Sequence, residues 1–214
     1  MTGLLYALLT AFTWAVAVVL FRRSGETMSP LVLNFHKNLV AMALLGLTFV
    51  VTAQSVWPDP PRDDVLVLLA SGVVGLAIAD TIFFYSLNLL GASRSAIVDA
   101  LYAPSVVIMS YFYLAERLVP LHAVGALLVV GGVLLTAGER SVGAVTTSHA
   151  LTGVLLGAAS MLLMAAAIVT VKPILARYSV LWATSVRMTG GVVGLVAFGV
   201  VRAEGRRAMV QAVR

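Results

Sequence analysis

Runs of apolar residues, broken at intervals by single charges, fill most of the chain. Leu4–Phe21 holds eighteen residues without one charge, Val65–Ala79 is equally clean before Asp80 interrupts it, and the pattern recurs as far as Val201. A bilayer hydrocarbon core ~30 Å thick needs ~20 apolar residues per helix. A backbone immersed in lipid must also satisfy its own hydrogen bonds, which helices do. The pattern therefore predicts seven spanning helices, at residues 3–21, 31–52, 65–90, 94–115, 119–138, 151–171 and 180–201. The joints carry turn chemistry at Ser29-Pro30, Trp57-Pro58-Asp59-Pro60-Pro61, Gly91-Ala92-Ser93 and Pro120. The expected fold class is all-α, a polytopic membrane helical bundle.

Composition closes off the other classes. With 61% hydrophobic residues, 11% charged residues and a mean hydropathy of +1.04, no water-soluble class fits. A net charge of +5 could suit nucleic acid, but the basic residues sit at helix ends without interleaved aromatics, as membrane anchors do. The bilayer is the expected partner, and nucleic acid is not. The chain has no cysteine, which excludes disulfides, thiolate metal sites and thiol catalysis. The N-terminus lacks the basic start of a cleavable signal, so helix one is expected to remain. Let side A be the face from which helix one starts and side B the face it reaches. Side B then carries eight basic residues and side A four, which places side B in the cytoplasm.

The polar stretch 139–150 separates five helices from two, dividing the chain into 1–138 and 151–214. A shift of 150 residues lays helices one and two over helices six and seven. Gly3 meets Gly153, Leu5 meets Leu155, Ala17 meets Ala167, Ser29 meets Ser179, and Lys37 meets Arg187. Five helices before the restart make the second copy enter the membrane from the opposite side. Inverted repeats of this kind are a transporter architecture, with the site between the copies.

The few charges inside the spans lie at related depths. Lys37 is six residues into helix two, about 9 Å below side B. Asp80 is fifteen residues into helix three and Asp99 five into helix four, each within roughly 10 Å of side B in a ~30 Å core. Asn34 and Asn38 flank Lys37, Tyr102 lies one turn beyond Asp99, and Trp14 and Tyr85 supply candidate aromatic walls. Arg187 takes the pseudo-symmetric position near side A. Isolated charges at such depth cost several kcal/mol, so they pair or serve a site. A structural Lys37–Asp80 pair locking two helices and a central site binding substrate or protons both satisfy this pattern. Burial and Lys37 pull the protonation equilibrium of Asp80 in opposite directions. Pro104 predicts a kink in helix four, and Pro173 the end of helix six. Gly153/Gly157, Gly190/Gly194 and Ser71/Gly75 are small-xxx-small pairs that predict close helix contacts.

The stretch Asp80-Thr-Ile-Phe-Phe-Tyr-Ser-Leu-Asn-Leu-Leu-Gly-Ala-Ser, then Pro104, Leu114-Ala-Glu116-Arg117-Leu118 and Gly125-Ala-Leu-Leu-Val-Val-Gly-Gly, resembles the EamA family of the drug/metabolite transporter superfamily. The resemblance implies two inverted five-helix repeats that move small metabolites or drugs by alternating access, with no cofactor. It also implies a central cavity faced by Trp14, Lys37, Asp80 and Tyr102, and a structural or gating role for Glu116 beside Arg117 and for Pro104. Coupling to an ion or to protons through Asp80 is the accompanying expectation. Three helices of the second repeat are missing before Arg214, which predicts a truncated product or completion by homo-oligomerisation.

Rival classes remain weaker. A retinal protein needs a lysine in the last helix, which offers Arg187 instead. An aspartyl dyad of Asp80 and Asp99 lacks a Gly-x-Gly-Asp setting, and Lys37 would disturb proton sharing. Gly91-Ala92-Ser93 reads as a turn rather than a nucleophile, and His36, His122 and His149 are too scattered for a metal. The chain is not expected to be an enzyme. A non-transporting assembly or scaffold subunit, or an inactive fragment, is the leading alternative.

Overall fold

The computed structural model describes residues 2–52, 58–116, 120–138 and 147–201. Helices fill these segments: α1 (Thr2–Ser24), α2 (Pro30–Thr52), α3 (Arg62–Gly72), a π-helical segment (Val73–Ala79), α4 (Asp80–Leu90), α5 (Ala92–Asp99), α6 (Tyr102–Leu114), α7 (Pro120–Gly138), α8 (Thr147–Leu175) and α9 (Val180–Val201). Among the described residues, six stretches are long and apolar enough to cross a membrane, and α7 adds a shorter apolar run, Ala123–Val133. The bundle is all-α and polytopic. Arg117 and most of the 139–150 boundary lie outside the described residues.

Local chemistry explains the helix ends. Pro30 opens α2, where its missing N–H is not needed, and Leu33 N–H bonds the Ser29 carbonyl at 2.9 Å. Ser179 caps α9 by accepting the Trp182 N–H on its hydroxyl at 3.3 Å. Gly91 stops α4 with φ 77°, a left-handed conformation that glycine adopts without a Cβ penalty. The third span begins at Arg62 rather than at residue 65, because Asp63 and Asp64 suit the positive end of a helix dipole.

Two proline expectations need adjusting. The distortion expected of Pro104 appears one turn before it, where helix four is divided. Ala100 and Leu101 bond three residues back, to Ile97 (3.2 Å) and Val98 (3.0 Å), between α5 and α6. The pyrrolidine ring crowds the carbonyl four residues before it, which is that of Ala100, so the distortion appears there. Pro173 does not end helix six, since α8 continues to Leu175.

The third span runs unbroken from Arg62 to Leu90 through the π segment. Its irregular turns are held by α2, where buried Asn34 donates its side-chain amide to the carbonyls of Leu76 (2.8 Å) and Ala77 (3.2 Å) and to Thr81 Oγ1 (2.9 Å). Asn38 donates to Asn34 Oδ1 at 2.8 Å, fixing which way that amide points. An Asn34→Leu variant keeps the volume and removes the donors. It is expected to lower stability by about 1–3 kcal/mol, the cost of a buried polar group left unpaired, read as the unfolding midpoint in detergent.

α8 is the central post, touching α3, the π segment, α4, α5, α6 and α7. Gly153 and Gly157 let it approach Leu90 and Val98, because a Cβ at either glycine would lie 2.6 Å from those side chains. Phe83, Phe84, Leu87 and Met161 form the core between α4 and α8, joined by Val18 and Leu33. By contrast α1 is exposed along most of its length and packs chiefly through Trp14, Val18 and Phe21.

Candidate functional site

A cavity of about 650 Å³ lies among α1, the π segment, α4, α5, α6, α8 and α9. Its polar groups are Asp80, Asp99, Tyr102 and Arg187, with Trp14 and Thr10 on the α1 wall. Leu76, Met161, Met164 and Ile168 make most of the apolar lining. Five of the residues singled out from sequence thus meet around one space: Trp14, Asp80, Asp99, Tyr102 and Arg187.

Each of them has a defined support. Asp80 opens α4 directly after the π segment and forms an ion pair with Lys37, which reaches it from α2. Lys37 Nζ also sits 5.5 Å from the centre of the Phe84 ring, a cation–π distance. Asp99 ends α5 at the break in helix four and accepts the Trp14 indole N–H at 2.6 Å. Arg187, seven residues into α9, donates from Nε to Ser71 Oγ at 2.8 Å. Its Nη2 lies 3.7 Å from where a Cβ on Gly75 would stand, so the glycine leaves the guanidinium room. Tyr102 lies within electrostatic reach of both Asp99 and Arg187.

The charges of this cavity are not all matched. Asp80 is satisfied by Lys37, but among the described residues neither Asp99 nor Arg187 forms a salt bridge. The lining therefore offers one carboxyl group and one guanidinium without an ion-pair partner among the described residues, and a phenol within reach of both.

Other expected members fall elsewhere. Lys37 stands behind Asp80, and among the described residues no part of α2 lines the cavity. Asn34 and Asn38 serve the π segment. Tyr85 is not an aromatic wall here. It lines a separate cavity of about 230 Å³ with Leu31, Ile82 and Phe198. Five residues along a helix from Asp80 turn a side chain ~140° away, which is why the two part company. Arg187 stands seven residues into α9, and its side chain reaches Ser71, in the first half of the third span, and the cavity. Pro104 is buried beneath the break in helix four.

Glu116 pairs with Lys172 Nζ at 2.5 Å, bridging the end of α6 to the end of α8. It follows Ala115, whose φ of 52° is left-handed and costs a residue with a Cβ roughly 1–2 kcal/mol. Sequence reading missed this partner, along with Ser71 and the apolar lining. The lining had a signal: Ala7, Thr10, Ala11 and Trp14 are spaced as one helix face, as are Met161, Met164 and Ile168.

The model of the EamA-like transporter family matches residues 1–138, well over half of the sequence. The chain belongs to the EamA-like transporter family. Similar proteins include "Uncharacterized inner membrane transporter YhbE" of Escherichia coli strain K12, of Escherichia coli O157:H7 and of Shigella flexneri. Each is 29% identical over 138 residues, covering 62% of this chain and 42% of the relative. This EamA-like chain thus matches less than half the length of these relatives. No solved structure matches it. Family membership and the apolar spans together make it an integral, multi-pass membrane protein.

Proposed function

We propose that this EamA-like protein carries small metabolites or drug-like molecules across the plasma (inner) membrane by alternating access around the 650 Å³ cavity. The observation that carries the reading is that Asp99 on α5 and Arg187 on α9, neither in an ion pair among the described residues, line one mostly apolar space. Such a lining suits an amphipathic substrate bearing a cation and an anion. The residues act by binding and electrostatics, without covalent chemistry. Asp80, paired from behind by Lys37, is the residue proposed to couple transport to protons or another ion.

The repeat arrangement is part of the proposal, with 1–138 as a full repeat and 151–214 as part of an inverted second. Lys37 and Arg187 support it. Each stands seven residues after its helix start, at Pro30 and Val180, and each bonds the same span, at Asp80 and Ser71.

Flux into proteoliposomes tests the function. Arg187→Met and Asp99→Asn are each expected to raise half-saturation about 10- to 100-fold, the worth of a charge-assisted hydrogen bond of ~1.5–3 kcal/mol. Tyr85→Phe is expected to leave it unchanged. Flux of doubly charged amphipaths indifferent to both cavity substitutions would sink the assignment of the cavity. Flux that ignores a pH gradient would remove proton coupling.

A further inference from the structure

A third cavity, of about 410 Å³, opens between α6 and α8 toward side A. It shares Tyr102 and Ile168 with the central cavity, so these two side chains form the partition between the spaces. Its walls are otherwise apolar apart from Lys172, the residue paired with Glu116. We propose that this cavity is a side-A vestibule on the path to the central site, and that Glu116–Lys172 is the latch that closes it. The proposal rests on the transport reading and adds a route and a gate to it.

Two ion pairs tie the segment after residue 147 to the earlier helices on side A, and their surroundings differ. Asp64 pairs with Arg177 at 3.1 Å; the arginine is 55% exposed, but the carboxylate is only 13% exposed. Close by, Leu68, Val171, Ile174, Trp182 and Ala183 form a buried core. That pair sits over packed atoms and serves as a fixed point. Glu116 and Lys172 are 47% and 53% exposed and stand beside a void. An exposed pair adds little net stability because water solvates both charges when it parts. It can therefore open at small cost, and the space behind it is already present. Left-handed Ala115 turns Glu116 back toward α8, placing one half of the latch by backbone geometry.

The absence of cysteine from the sequence makes the test clean. A single thiol is placed in the vestibule as Val106→Cys, with Ala103→Cys as a second probe should the first fail to fold. Sealed vesicles of each orientation are treated with a membrane-impermeant thiol reagent. Labelling is expected from one face only. Glu116→Gln or Lys172→Gln should speed it about two- to fivefold, the shift available from an exposed pair. The exchange Glu116→Lys with Lys172→Glu should slow it again. No labelling at either probe, equal labelling from both faces, rates unmoved by latch loss, or an exchange no slower than the single variants would each overturn the proposal. Labelling requires no transported substrate. Absent flux with the expected labelling therefore counts against transport alone, and flux with unmoved labelling counts against the latch alone.

Discussion

Adding one methyl group at Gly72 is expected to force α3 and α9 apart. A Cβ there would lie 1.9 Å from the Arg187 carbonyl oxygen, 2.8 Å from its carbon and 3.0 Å from Gly191 N. Gly190 faces the same contact from the other side, with its Cβ position 2.2 Å from the Leu69 carbonyl oxygen. These obstacles are backbone atoms of packed helices, which cannot swing aside as a side-chain tip can. Gly72→Ala and Gly190→Ala should each cost about 3 kcal/mol or more, the upper range for overpacking. The same displacement moves Arg187, so substrate affinity should fall with stability. Gly46 and Gly131 have open space where a Cβ would go. Alanine there is expected to be neutral or to stabilise by up to ~1 kcal/mol through helix propensity. Unfolding midpoints of the four variants in one detergent decide the matter. Equal midpoints would mean that α3 and α9 do not meet as described.

The second large effect concerns the ion pair beside the cavity. Lys37→Met leaves Asp80, whose side chain is 8% exposed, without its counter-charge. Asp80→Asn strands the ammonium instead. Breaking a buried pair from one side costs about 3–5 kcal/mol, whereas removing both charges together is close to neutral. Each single variant should therefore lose most of its stability, and Lys37→Met with Asp80→Asn should regain it. A double variant as unstable as the sum of the singles would show that the two residues act independently. The double variant also separates stability from coupling. It should fold and bind substrate yet lose any flux driven by an ion gradient.

The sequence made the spans legible because lipid imposes length and hydrophobicity at once. It also exposed the polar cluster, since a charge inside an apolar run has few acceptable surroundings. Asp80 and Asp99 stand out in this way, with Tyr102 one turn beyond Asp99 and Trp14 a candidate aromatic wall. Depth arithmetic locates the Cα of Arg187 but not its guanidinium, so the bond to Ser71 is not legible in it. It also could not tell the two faces of a helix apart, so Tyr85 was grouped with Asp80. The π segment left no readable mark, as Val73–Ala79 has the composition of any membrane helix. Only Asn34, once seen against the carbonyls of Leu76 and Ala77, explains how the irregular turns are tolerated. The Glu116–Lys172 pair joins residues 56 apart in the chain, a distance at which periodicity carries no information.

The central post of the bundle is made after most of the helices it holds. Translation delivers α1 to α7 before α8, yet α4 and α6 find their main partner in α8, and the π segment packs against both α8 and α9. Until it inserts, Ser86 has no Gly153 carbonyl to which its hydroxyl can donate at 2.7 Å. The cavity likewise lacks the wall made by Met161, Met164 and Ile168. The packing of these early helices therefore waits on the insertion of α8.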